Sequence, residues 1–128
     1  MLTAKSAFSG FSVSNLAAAK EFYSGTLGLP VEEGGMGLKL QLPGGAAVFV
    51  YQKKDHQPAM FTILNFVVEN IDSAVEELAK SGIQLERYEG MAQDEKGIMR
   101  GIAKSRGPDI AWFTDPSGNI LSVLQEGE

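Results

Sequence analysis

The sequence predicts an α+β fold of two tandem βαβββ modules, residues 1–57 and 58–128. Three observations carry that prediction. A strand, a helix cap and a short amphipathic helix occur in FSGFSVSNLAAAKEFYSGTLGL, residues 8–29, and the same unit returns in FVVENIDSAVEELAKSGI, residues 66–83. The two copies keep a constant offset of 55 residues, matching Phe11 with Phe66, Val13 with Val68, Asn15 with Asn70, Leu16 with Ile71 and Ala19 with Ala74. Self-similarity at one spacing marks a repeated supersecondary unit. After each unit come short runs of alternating apolar and polar residues separated by Gly and Pro turns, as strands in a half-buried sheet require.

In the first module Phe11 and Val13 alternate with Gly10 and Ser12, so the two pairs face opposite sides of a strand. Asn15 sits where an N-cap should, its side-chain oxygen able to accept from a free backbone N–H of the first turn. Leu16, Ala19, Phe22 and Tyr23 then fall on one helical stripe, which Gly25 and Gly28 should end. A strand at 30–33 turns at Gly34-Gly35. Leu38, Leu40 and Leu42 alternate with Lys39 and Gln41, and Pro43-Gly44-Gly45 turns the chain into the apolar run 46–52. The polar stretch 53–59 is the seam between modules. The second module repeats the plan with strands at 61–68, 83–88, 110–114 and 119–124, the last pair closed by Asp115-Pro116-Ser117-Gly118. Residues 90–108 do not fit the repeat. They bring Gly90, Gly97, Gly101 and Gly107 with a mixed set of charges, and stand either as a lid or as a solvated excursion.

Composition narrows the function. At 128 residues, 44% hydrophobic and 21% charged, the chain is the size and character of one globular domain. A net charge of −5 argues against nucleic acid as a partner. With no cysteine there is no disulfide, thiolate nucleophile or sulfur-ligated metal. The longest strongly apolar run, 46–51, is too short to cross a bilayer. The N-terminus is too polar for a signal peptide, so a cytoplasmic protein with no membrane partner is expected.

FSVSNLAAAKEFYSGTLGL resembles the first-module signature of the vicinal oxygen chelate superfamily, the glyoxalase, bleomycin-resistance and extradiol-dioxygenase relatives. WFTDPSGNILSVLQ, residues 112–125, resembles its closing hairpin. That resemblance implies a curved, mostly antiparallel sheet around a concave pocket, and a homodimer as the assembly. It also implies four positions for metal ligands: two seven residues before the helix caps, one seven residues after the Asp of the Asp-Pro turn, and one matching it in the first module. Here these are Phe8, Ile63, Ser122 and Phe49. None is an imidazole or carboxylate, which such sites use. The chain's single histidine, His56, falls in the inter-module stretch with no partner that the sequence can place. No G-x-S-x-G elbow, phosphate loop, dinucleotide fingerprint or H-E-x-x-H motif occurs, so no metal and no cofactor are expected.

Period-two alternation extends the four positions into a candidate ligand face: Phe8 and Ser12, Phe49 and Tyr51, Ile63 and Asn65, and Ser122, with Lys39 and Gln41 added by hairpin register. Leu38, Leu40, Val48, Phe66, Val68, Leu121 and Val123 fall on the opposite, helix-covered face. Alternation fixes only that Trp112 and Phe113 point opposite ways. We take Trp112 as facing the pocket, because Phe113 then joins Leu121 and Val123. Aromatics mixed with a few polar groups suit a small, partly flat organic ligand. The expectation is therefore a metal-independent binding protein for an aromatic or cationic compound. Two alternatives stand beside it: an enzyme of the same family using acid–base groups such as Tyr51, Lys39 or the acids of 90–108, and a module that only meets protein partners.

Overall fold

A computed structural model describes residues 1–127 and divides into two compact units, Met1–Pro58 and the chain from Ala59 onward. Both repeat the strand–helix start, but the first sheet has four strands and the second three.

In the first unit, β1 (Ser9–Val13) is followed by α1 (Leu16–Lys20), β2 (Val31–Gly34), β3 (Gly37–Gln41) and β4 (Ala47–Gln52). The sheet order is β1-β4-β3-β2, with β1 parallel to β4 and the other pairs antiparallel. Two side chains satisfy the N-terminus of α1. Asn15 Oδ1 accepts from the Ala18 N–H at 2.9 Å, and Gln52 Oε1, from the last residue of β4, accepts from the Leu16 N–H at 2.9 Å. The helix does not stop at Gly25. It widens into a π-helical stretch, Glu21–Thr26, with the Leu27 N–H bonded back to the Phe22 carbonyl, and Gly28 turns out of it at φ +74°. The wide turn buries Tyr23 completely, its ring against Phe11 and Phe22. Val13, Leu38, Leu40, Val48 and Val50 complete the core under the helix, each burial being worth about 1.5–3 kcal/mol.

The second unit has β5 (Thr62–Val67), α2 (Ile71–Lys80), β6 (Asp109–Thr114) and β7 (Ile120–Gln125), in the order β5-β7-β6, again with one parallel pair. The capping is the same: Asn70 Oδ1 accepts from Ser73 N–H at 3.0 Å, and Gln125 Oε1 from Ile71 N–H at 2.9 Å. Ile71 and Leu78 bury one stripe of α2 over Phe113, Leu121 and Val123. The β6–β7 turn is held by Asp115, whose carboxylate accepts from the N–H groups of Ser117 and Asn119 at 2.8 and 2.9 Å.

The strand expected at 83–88 is not a ladder. Only Glu86 pairs with the β6 edge, at Trp112, and Met99 pairs with the same edge at Ile110. Two stretches of chain thus share one strand's position. Their polar backbone is completed by a side chain. Gln93 donates to the carbonyls of Glu86 and Gly97 and accepts from the Tyr88 N–H. An edge whose N–H and C=O groups are met this way needs no fourth strand.

Residues 90–108 are anchored at their middle, around 97–101, while 103–107 stand exposed. Ile98 is fully buried, and Arg100 bonds Asp94 and Asp72 and lies 3.6 Å from Asp109. Lys96 adds a second ion pair to Asp72, in the first turn of α2. Hydrogen bonds from Arg100 and then Lys96 hold the Asp72 carboxyl well below the usual carboxylate range. Burial works against the charge of Asp94, yet hydrogen bonds from the Ile98 N–H and Arg100 still hold its carboxyl down.

Candidate functional site

Opposite the helix, the first unit carries a sheet face bearing most of the candidate residues. Cross-strand register aligns Gly10, Phe49 and Lys39 in one row, Ser12 with Tyr51 in the next, and Ala47 with Gln41 on the other side. Phe49 and Tyr51 lie nearly parallel, their ring centroids 6.0 Å apart at 19°. Gly37, across from Tyr51, makes room: a Cβ there would stand 2.3 Å from the Val50 carbonyl oxygen and 2.9 Å from the Phe49 ring. Phe8 precedes β1 rather than belonging to it and is 74% exposed. It borders a cavity of about 380 Å³ with Ser6, Ala7, Lys39, Ala47 and Phe49. Lys39 and Tyr51 are exposed, Gln41 and Phe49 half-buried.

His56 is not a solvated loop side chain. Its Nδ1 lies 2.6 Å from Ser12 Oγ. The approach is built by backbone: the Lys53 N–H bonds to the Val13 carbonyl at the end of β1, and the His56 N–H returns to the Lys53 carbonyl. A partner 44 residues away in sequence gave no local signal, which is why the sequence left this histidine alone.

In the second unit the equivalent face holds Asn65, Ser122 and Trp112 in one row. Phe113 pairs with Leu121 on the helix side. Ser122 is fully buried, and its hydroxyl is 2.5 Å from Asn65 Oδ1. Trp112 is 7% exposed, stands edge-on to Tyr88 at 5.6 Å, and donates its indole N–H to Thr62 Oγ1 at 3.1 Å. Alternation pointed to Ile63 on this face. The ladder instead passes from Thr62–Ile120 to Leu64–Leu121, leaving Ile63 as an unopposed bulge residue and putting Thr62 beside Trp112. Beside them Met60, Phe61, Tyr88, Met91 and Ile120 line an open cavity of about 330 Å³, with Met60 95% and Phe61 69% exposed. Burial pushes the Tyr88 phenol up, so it stays a neutral hydroxyl there.

The four positions where metal ligands would stand carry two phenyl rings, one alkyl chain and one buried hydroxyl. That donor chemistry does not fit a divalent metal. Among the described residues no three His, Asp or Glu side chains gather closely enough to hold one.

Repeated modules with one parallel pair each and a mixed aromatic–polar sheet face define a class of small two-module α+β proteins with ligand-sized cavities. The chain belongs to the Glyoxalase/Bleomycin resistance protein/Dioxygenase superfamily, whose family model matches residues 7–123. No curated protein matches it in sequence. Solved structures share the fold along nearly the whole chain. A glyoxalase family protein from Bacillus anthracis is 18% identical at a TM-score of 0.66, covering 98% of this chain and 99% of its own. TnmS3, an antibiotic binding protein from a Streptomyces species, is 23% identical at 0.64, covering 98% and 100%. The fosfomycin resistance protein FosX from Listeria monocytogenes is 10% identical at 0.67, covering 97% and 94%. Among the described residues no helix is long and apolar enough to cross a membrane.

Proposed function

We propose that the protein binds a small aromatic or cationic organic compound without a metal ion, as a sequestering protein. The observation that carries this reading is the cavity beside Trp112, which three aromatic rings (Phe61, Tyr88 and Trp112) and two methionines line with few polar groups. An aromatic wall of this kind holds a flat ring by stacking and a cation by its π face. Phe8, Lys39 and Phe49 line the corresponding cavity of the first unit, with Ser12, Gln41 and Tyr51 on the same sheet face. Asn65 and Ser122 share the row of Trp112, and Ile63, at the bulge, is the remaining candidate of the set. The antibiotic-binding and antibiotic-resistance names of two structural neighbours are in keeping with this reading.

The test is a thermal-shift panel of flat aromatic and quaternary-ammonium compounds, followed by titration of the single tryptophan's emission. At least one compound should raise the melting temperature and change Trp112 emission, and Trp112→Phe should weaken its binding by about 1–3 kcal/mol. A panel in which nothing stabilises the protein, or a binder that leaves Trp112 emission unmoved, would count against the reading. Elemental analysis after dialysis should find no stoichiometric metal.

We infer further that the working form is a homodimer. Phe8, Phe61 and Val67 stand 74%, 69% and 62% exposed, apolar side chains that a second copy would cover. Light scattering at tens of micromolar protein should give twice the chain mass; a monomeric mass would refute it.

A further inference from the structure

One polar contact on the candidate face of the first unit is not used by ligand sequestration. Ser12 Oγ and His56 Nδ1 are 2.6 Å apart, both side chains are only partly buried, and the two come from a strand and from the stretch that follows β4. Ser12 is in the β1–β4 ladder opposite Tyr51. His56 ends a turn tied to β1 through the Lys53 N–H and Val13 carbonyl. A hydroxyl held against an imidazole nitrogen at this separation is the arrangement by which a weak alcohol becomes a nucleophile, because the base receives its proton as the new bond forms. Gly10, the neighbour of Ser12 on that face, offers no side chain, and Phe49 and Tyr51 lie alongside as a flat aromatic pair. The second unit carries no counterpart: at the position of Ser12 the 55-residue offset places Val67.

We propose that Ser12 and His56 form a nucleophile–base pair that is acylated by aryl esters, with the aryl group resting on Phe49 and Tyr51. Ser12 Oγ bonds to the ester carbonyl carbon while its proton passes to His56 Nδ1. The bond from that carbon to the aryl oxygen breaks, and the departing phenol takes the proton from His56. Water, activated through the same nitrogen, then cleaves the acyl–serine ester to a carboxylic acid and restores the hydroxyl. In this cycle the ring proton of His56 stays on Nε2. Neither a metal nor a redox partner takes part.

The experiment mixes the whole protein with p-nitrophenyl acetate and follows p-nitrophenolate release, with peptide mass mapping of the acetylated residue. A burst approaching one equivalent per chain is expected, with acetyl on Ser12. Ser12→Ala should abolish it, and His56→Gln should slow it by about a hundredfold. Release without a burst, acetyl on another residue, or a burst that survives Ser12→Ala would each overturn the proposal. Ser12→Cys gives a second readout that does not depend on turnover, because the chain has no other cysteine. Its alkylation by iodoacetamide should titrate clearly below the ordinary thiol value of about 8.5 and return to it when His56→Gln is added. A Ser12→Cys thiol that titrates as an ordinary one, with or without His56, would equally overturn the proposal.

Discussion

The two units share a frame and differ in what becomes of the same face. Both cap their helix with an Asn before it and a Gln from the last strand, and both bury an aliphatic layer beneath it. On the other side, Lys39, Phe49 and Gly10 of the first unit stand where Trp112, Ser122 and Asn65 stand in the second. The first row leaves an exposed lysine and a half-buried ring; the second encloses its tryptophan and buries its serine completely. The cause lies at the sheet edge. In the first unit β2 and β3 are joined by a two-residue turn, Gly35-Met36, whereas in the second the chain between Glu86 and β6 runs through the ion-paired stretch 90–108, anchored by buried Ile98. That stretch brings Tyr88 and Met91 over Trp112. A repeat therefore preserves the helix side, which makes the fold, while a single insertion re-dresses the side that meets ligands.

The comparison breaks most sharply at Trp112. Replacing this nearly buried ring with Ala removes its contacts with Tyr88 and leaves a void, so Trp112→Ala should cost about 3–5 kcal/mol in urea unfolding. A cost below about 1 kcal/mol would mean that the enclosure is loose. Next comes Gly37→Ala in the open unit. The clash there is with the Val50 backbone oxygen, which cannot turn aside, and about 2–3 kcal/mol should be lost. An unchanged midpoint would show that β3 and β4 can part without cost.

Much of this asymmetry was hidden in the sequence for identifiable reasons. The helix caps and the core stripe were legible because Asn15 and Asn70, Leu16 and Ile71 keep the 55-residue offset. The glutamine caps were not. Gln52 and Gln125 lie 73 residues apart, the insertion having shifted everything beyond it. Alternation placed Phe113, Leu121 and Val123 together correctly, since the β6–β7 ladder is regular. It failed at Ile63, because a bulge adds a residue without any mark in the side-chain pattern. The fourth strand of the second module failed for a third reason. Residues 83–88 have strand composition, but the edge they would pair is shared with Met99. The Ser12–His56 contact rests wholly on tertiary placement.

A smaller effect tests what holds 90–108 in place. Arg100→Ala removes one cation from Asp72, Asp94 and Asp109 and should cost about 1–2 kcal/mol, allowing for solvent screening of the more exposed partners. Amide exchange should quicken from Gln93 to Arg100 and stay unchanged in the first unit. Uniform loss of protection would mean that the two units unfold together. The pH dependence has a definite sign. Because the Asp72 and Asp94 carboxyls are held low in the folded protein, their contribution is fully present above the ordinary value of about 3.8 and is lost as pH falls below it. Exchange in this stretch should therefore quicken on acidification below pH 4 relative to the rest of the chain, and Arg100→Ala should reduce that difference, Lys96 and the Ile98 N–H still holding the carboxyls.

The smallest effect is the most informative about the open face. Lys39 holds the position that Trp112 holds in the other unit, but it is exposed, so Lys39→Ala should change stability by less than about 0.5 kcal/mol. Set against the loss at Trp112, this makes the two equivalent positions differ by several kcal/mol, one filled by a covered indole and the other by an exposed lysine. The exchange can also be run in reverse. Lys39→Trp in a Trp112→Phe background puts the only indole on the open face, beside Phe49, where nothing like Tyr88 and Met91 encloses it. Its emission should lie at the wavelength of a hydrated indole and be quenched readily by iodide, whereas native Trp112 should emit to the blue and resist quenching. If the transplanted indole were equally shielded, the first unit's face would be covered in solution by another surface, and a second copy of the chain would be the first candidate. Repeating the quenching across a dilution series separates the two cases: a partner-covered indole becomes accessible as the protein is diluted, and one covered within its own chain does not.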